Sequence, residues 1–189
     1  DFEAERYLVF TTKNGLIKQT HIKDLQATRY SRALKATKIR KGDELVSVDI
    51  YNGNNSEIVV ITKQGFINRY ETSEIPQMAP AAFGVKALEM KARPDDEVVA
   101  GKCINDKDLI ILLTERGTIK RIKPNEVLTG KRNHVGKQYI QMTKTVTNDV
   151  VYADVITKDN ANKDLDCYLF GTKGYTQIEY EILRDATAS

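Results

Sequence analysis

The sequence has no tryptophan, two cysteines, two histidines and four prolines among its 189 residues. Each scarcity closes a route. Cys103 and Cys167 lie far apart in apolar runs, which suits small buried hydrophobes in a reducing compartment better than a disulfide framework. Without Cys-x-x-Cys, and with only His21 and His134 as further ligands, the donor set of a zinc site is missing. Gly-x-Ser-x-Gly is absent and neither histidine stands near a nucleophile motif, so hydrolytic chemistry has no starting point. The longest aliphatic run, Leu109 to Leu113, is far too short for a membrane-spanning helix. Asp1-Phe2-Glu3 opens no basic segment followed by an apolar stretch, so no secretory signal is expected. The acid clusters Asp95-Asp96-Glu97, Asp106/Asp108 and Asp164/Asp166 lack the ligand spacing of a calcium loop and read as solvated loop ends. No metal, cofactor or catalytic residue is therefore expected.

What is present repeats. Tyr7-Leu-Val-Phe-Thr-Thr-Lys-Asn-Gly15, Glu57-Ile-Val-Val-Ile-Thr-Lys-Gln-Gly65, Leu109-Ile-Ile-Leu-Leu-Thr-Glu-Arg-Gly117 and Asp166-Cys-Tyr-Leu-Phe-Gly-Thr-Lys-Gly174 share one design: an apolar run, a polar pair, then glycine. A short second run follows each glycine. The unit is a β-hairpin, with glycine where a tight turn needs positive φ. The strand before each turn is apolar at consecutive positions, so it must be covered on both faces, as in stacked sheets. Between hairpins, Asp43-Glu44-Leu45-Val46, Asp96-Glu97-Val98-Val99 and Asn148-Asp149-Val150-Val151 each open a further strand. Before those, Lys35–Ile39, Lys86–Met90 and Gln138–Met142 read as another. Four strands per period is one propeller blade. The expectation is an all-β, propeller-like array of about four four-stranded blades in a single domain over 1–189. Its repeats centre on Gly15, Gly65, Gly117 and Gly174, and short turns at Ile22–Leu25 and Pro124–Leu128 are the only helical candidates.

The net charge of +3 says little, but its distribution is uneven. From Leu16 to Gly42 eight basic residues face one acid, and from Arg116 to Lys144 the same ratio recurs. Phe66 to Gly101 carries four basic and six acidic residues, and Asp149 to the end four and eight. Two repeats are thus strongly basic, which creates a potential suited to a phosphate backbone. Few aromatics interleave with the cations, which favours duplex backbone contact over single-strand stacking. The expected DNA contacts are Lys18, Arg29, Arg32, Lys35, Lys38, Arg40, Lys120, Arg121, Lys123, Lys131, Arg132 and Lys137. Gly130-Lys-Arg-Asn-His-Val-Gly136-Lys137-Gln138 has one residue too many for a P-loop and ends in Gln where Ser or Thr is required. It reads instead as a basic loop presenting Lys131, Arg132 and Lys137 beside free backbone amides.

The repeated Thr-x-x-Gly-x-Ile-Lys-Arg, with the intervening Gly-Asp-Glu-Leu-Val, resembles the C-terminal domain of the A subunit of bacterial type IIA topoisomerases, DNA gyrase and DNA topoisomerase IV. The likeness runs from Tyr7 to Tyr180. It implies a β-pinwheel whose blades borrow strands from their neighbours and whose basic rim bends double-stranded DNA. It also implies an A-subunit dimer with an ATPase B subunit, and a cytoplasmic, chromosome-associated setting with some peripheral membrane association. The cleavage tyrosine, ATP and magnesium belong elsewhere in such an enzyme, so no tyrosine here takes that role. Gyrase carries Gln-Arg-Arg-Gly-Gly-Lys-Gly in one inter-blade loop; Gln26–Arg32, Met78–Gly84 and Gly130–Gly136 do not match it. That departure points to topoisomerase IV, with the corresponding gyrase domain as the alternative. A propeller whose basic runs meet an acidic protein is the competing reading from a different class. Four repeats are fewer than the five or six blades common in the family, so a short or open disc is expected, with unpaired edges to protect.

Overall fold

The computed structural model describes residues 5–26, 31, 33–53, 56–141, 147–157 and, as strands, 166–171 and 174–179. Thirteen strands are assigned among them. β1 (Tyr7–Thr12) and β2 (Leu16–His21) form the first hairpin, and β3 (Leu45–Tyr51) pairs with the free side of β1. β4 (Glu57–Thr62) and β5 (Phe66–Glu71) form the second hairpin. Next come β6 (Val85–Lys86) and β7 (Val98–Ile104), then the hairpin of β8 (Leu109–Thr114) and β9 (Ile119–Ile122). β10 (Lys137–Gln138), β11 (Val150–Ile156), β12 (Asp166–Gly171) and β13 (Gly174–Glu179) complete the order.

The first three hairpin turns are built identically. Gly15, Gly65 and Gly117 have φ of 79°, 77° and 77°, the left-handed region that β-carbons disfavour. Their amides donate to the carbonyls of Thr12, Thr62 and Thr114. The hydroxyls of those threonines accept from the next amides, of Leu16, Phe66 and Thr118. The repeated Thr-x-x-Gly is thus a self-contained turn. Asp43 and Asp96 then accept from Asn14 and Gln64 inside the turns, tying each tip to the strand that follows.

Sheet order shows how blades join. The first blade runs β3-β1-β2-β6 and the second β7-β4-β5-β10, so each takes its last strand from the following repeat. Val85 and Lys86 pair with Ile17 and Leu16, and Lys137 and Gln138 with Ile67 and Phe66. The third blade holds β11-β8-β9 and the fourth β12-β13. The expectation of four four-stranded blades is met by two. Each borrowed strand comes from the next repeat, and among the described residues the third blade has three strands and the fourth two. The expected strands after Asp43, Asp96 and Asn148 form as β3, β7 and β11; of the stretches expected before them, only residues 85–86 and 137–138 are strand among the described residues, and 35–39 has no strand pairing. The short turns appear as 3-10 segments at Ile22–Leu25 and Pro124–Glu126, with a third at Thr72–Glu74.

Consecutive apolar residues in β4 feed two cores. Ile58 and Val60 pack between the first and second blades with Val9, Ile17, Tyr70 and Leu88. Val59 and Ile61 pack between the second and third with Ile67, Ile110, Leu112 and Ile140. All four are fully buried, each worth about 1.5–3 kcal/mol relative to exposure. Polar links supplement this. Ser47 Oγ accepts from Gly101 N (2.9 Å), and Asp49 Oδ2 accepts from Cys103 N (2.7 Å), so β3 side chains cap the open backbone edge of β7. Lys102 and Asp154 meet at 3.0 Å between the second and third blades.

Candidate nucleic-acid interface

The twelve basic residues expected to meet DNA do not share one fate. Lys18 projects from β2 into the protein and is 1% exposed. Its Nζ donates to the carbonyls of Ala36 (3.1 Å), Ala79 (2.9 Å) and Pro80 (2.6 Å) and sits 5.2 Å from the Phe10 ring centroid. Burial lowers its pKa. Its expected role is corrected: a side chain enclosed by three carbonyls has no ammonium to offer a phosphate. The same repeat position is Asn68 in the second blade, donating to the carbonyls of Lys131 and Arg132, and Lys120 in the third, donating to that of Tyr139 at 2.7 Å. This position clamps the inter-blade loop.

The next position along also works inward. Gln19 donates to Ile75 O, and Arg69 to the carbonyls of Pro124 and Val127 and to Glu57. Arg121, their counterpart, is half-buried, and its Nε is buried without a hydrogen-bond partner among the described residues. Arg132 is half-buried too. Its Nε donates to Glu74 O (3.0 Å), its backbone amide to Glu74 Oε2 (2.8 Å), and its Nη1 to Lys86 O. Lys131 is exposed and lies 3.6 Å from Glu74. Glu74 therefore pairs with Lys131 through its carboxylate and holds the Arg132 guanidinium through its backbone carbonyl.

That loop differs from the expectation in another respect. The amides of Gly130, Lys131, Arg132 and His134 donate to Arg69 O, His134 Nδ1, Glu74 and Lys131 O. They are engaged within the protein, because a loop clamped by Asn68 has few open amides left to cradle an anion.

Lys35, Lys38, Arg40, Lys123 and Lys137 are exposed, and no carboxylate lies in ion-pair range of them among the described residues. Lys35, Lys38 and Arg40 lie on the 33–40 segment, followed directly by exposed Lys41. Lys123 precedes the Pro124–Glu126 3-10 segment, and Lys137 lies on β10 with Nζ 5.8 Å from the Tyr139 ring centroid. Arg29 and Arg32 lie outside the described residues. Sequence reasoning missed Phe83, an exposed aromatic at the 33–40 segment: Lys38 Nζ and the Arg40 guanidinium stand 5.6 and 5.8 Å from its ring centroid. A cleft of about 820 Å³ has a more acidic lining, with Glu57, Glu71, Asp106 and Asp108 beside a single Lys107. The charge is therefore separated: free cations at the inter-blade segments, carboxylates at the cleft.

Stacked four-stranded blades that exchange strands define a β-pinwheel of the propeller class. The sequence pattern described as DNA gyrase C-terminal domain, beta-propeller, matches residues 6–52, 56–105 and 108–156, one match for each of the first three repeats. The chain belongs to this family. It is 33% identical over 165 residues to the A subunit of DNA topoisomerase 4 from Staphylococcus aureus (strain MSSA476), a match covering 87% of this chain and 20% of that protein. The chain thus spans about a fifth of that relative's length. A crystal structure of the C-terminal domain of DNA topoisomerase IV superposes with a TM-score of 0.86 at 28% identity, over 100% of this chain and 56% of that one. The E. coli ParC C-terminal domain shares the fold, with a TM-score of 0.62 at 16% identity over 81% of this chain and 61% of that one.

Proposed function

We propose that this chain is a non-catalytic domain that binds and bends duplex DNA within the A subunit of a topoisomerase IV. It orients a segment for strand passage during decatenation and supercoil relaxation. The observation that carries the reading is the exposed group Lys35, Lys38 and Arg40 beside Lys41, with no carboxylate in ion-pair range of the three among the described residues, on a stretch with a single acid. Lys123 and Lys137 are further contacts in this reading; Arg29 and Arg32, also expected contacts, lie outside the described residues. Such a surface neutralises phosphates without reading bases. The 33% identity to the A subunit of a topoisomerase 4 and the missing gyrase box favour topoisomerase IV over gyrase. In this reading the domain takes no cofactor. ATP and magnesium serve other parts of the enzyme, an A-subunit dimer with a B subunit, in the bacterial cytoplasm on the chromosome.

The test is binding to a mixed-sequence duplex as salt is varied. Log affinity should fall linearly with log salt, with a slope of about −0.9 per phosphate contacted. A flat salt dependence ends the DNA reading and leaves an acidic protein partner as the occupant of the basic surface.

A further inference from the structure

We propose that Phe83 is a positioning residue that gathers Lys38 and Arg40 into a two-cation clamp for one stretch of DNA backbone, so that the contact unit combines residues of two repeats. The inference rests on the duplex-binding reading above and adds a mechanism to it. Phe83 comes from the second repeat, on the loop Met78–Gly84, while Lys38 and Arg40 come from the first. The ring is 41% exposed, although its neighbours are fixed. Lys18 holds the carbonyls of Ala79 and Pro80 on one side and of Ala36 on the other, so one buried ammonium ties both segments together. Lys38 N donates to Ala82 O at 3.1 Å, and Ala82 N to Ala79 O at 3.1 Å. After the ring, Gly84 lies so close to β2 that a β-carbon there would sit 2.5 Å from Ile17 O, and β6 then pairs with β2. Phe83 is thus held between two anchored points while its ring stays at the surface.

Both cations stand within the distance at which a ring quadrupole attracts them. Long side chains lose rotamer freedom when they grip a phosphate, and side chains already gathered on a ring lose less. A ring that only positions the cations therefore changes affinity while leaving the number of phosphates neutralised, and hence the salt slope, unchanged. A ring that touched DNA itself would act whether or not the cations were present.

The experiment compares wild type, Phe83→Leu, Phe83→Tyr, Lys38→Gln/Arg40→Gln and the triple variant Lys38→Gln/Phe83→Leu/Arg40→Gln for binding to a mixed-sequence duplex across salt. Thermal melting accompanies each variant, as do proton shifts of the Lys38 and Arg40 side chains without DNA. The expected result is about fivefold weaker binding for Phe83→Leu at unchanged slope and melting temperature, with recovery in Phe83→Tyr. The Leu substitution should have no further effect once both cations are glutamine, and ring-current shifts of Lys38 and Arg40 should be lost in Phe83→Leu. Wild-type affinity for Phe83→Leu overturns the proposal. So does an equal loss in the Lys38→Gln/Arg40→Gln background, which makes Phe83 a direct contact. If wild type itself fails to bind duplex, the duplex reading falls and takes the clamp with it; ring-current shifts would then mark the ring–cation group as purely structural.

Discussion

Lys18 and Lys38 carry the same side chain within the same repeat and do opposite work. Lys18 is enclosed by three carbonyls, whereas Lys38 lies at the surface against an aromatic ring. Replacing Lys18 with Met leaves those carbonyls without their donor, at about 1–3 kcal/mol for a buried group. The expected loss is about 2–4 kcal/mol of stability in denaturant unfolding, whereas Lys38→Met should change stability by less than about 0.5 kcal/mol and weaken duplex binding. Equal stability losses would contradict the division of roles. Charge counting along the chain could not separate these lysines, because it is blind to the direction a side chain points. A signal was nevertheless present: the position of Lys18 recurs as Asn68 and Lys120, donors of differing charge, which fits a structural hydrogen bond better than a phosphate contact. Arg132 offered no such signal. Its partner Glu74 lies in another repeat, and only the fold brings them together.

The elements divide in the same way. The hairpins were legible because each of the first three turns is closed by its own Thr and Gly and the strand before it is apolar at consecutive positions. The strands β3, β7 and β11 were legible from the acid-then-apolar openings at Asp43, Asp96 and Asn148. The borrowed strands were legible only as strand-like stretches at Lys86–Met90 and Gln138–Met142, with neither their bounds nor their partners. β6 and β10 are two residues long, and their pairing partners lie a full repeat away, so no local pattern sets their bounds. Their hold on the preceding blade is a steric one, expressed at Gly84 and Gly136, where a β-carbon would meet Ile17 O at 2.5 Å and Ile67 O at 2.6 Å. Gly84→Ala should therefore detach β6 from β2 and cost about 1–3 kcal/mol by overpacking against backbone. Hydrogen exchange of the Ala87 amide, which donates to Gly15 O beside the borrowed strand, is the direct measure: faster exchange there, with the β4–β5 hairpin still protected, is the expected pattern. Unchanged protection would show that the close approach is not needed to seat the borrowed strand.

At the scale of the whole molecule the sequence showed two basic repeats, and the structure makes them unequal. In the third repeat Lys120, Arg121 and Arg132 turn inward and Lys131 faces Glu74, leaving Lys123 and Lys137 outward. In the first repeat only Lys18 is withdrawn among the described candidates, so the 33–40 segment dominates the accessible charge. Duplex binding by this domain depends on that segment meeting the DNA backbone. The sharpest check is charge reversal of Lys35, Lys38 and Arg40 to Glu, set beside reversal of Lys86, which pairs with Glu89 at 2.7 Å. Duplex affinity would be followed across salt, with folding checked by melting. The triple variant should lose at least about 100-fold in affinity and about three units of salt slope, while Lys86→Glu changes binding by less than about threefold. Equal effects from the two variants, or an unchanged slope in the triple variant, would contradict that dependence.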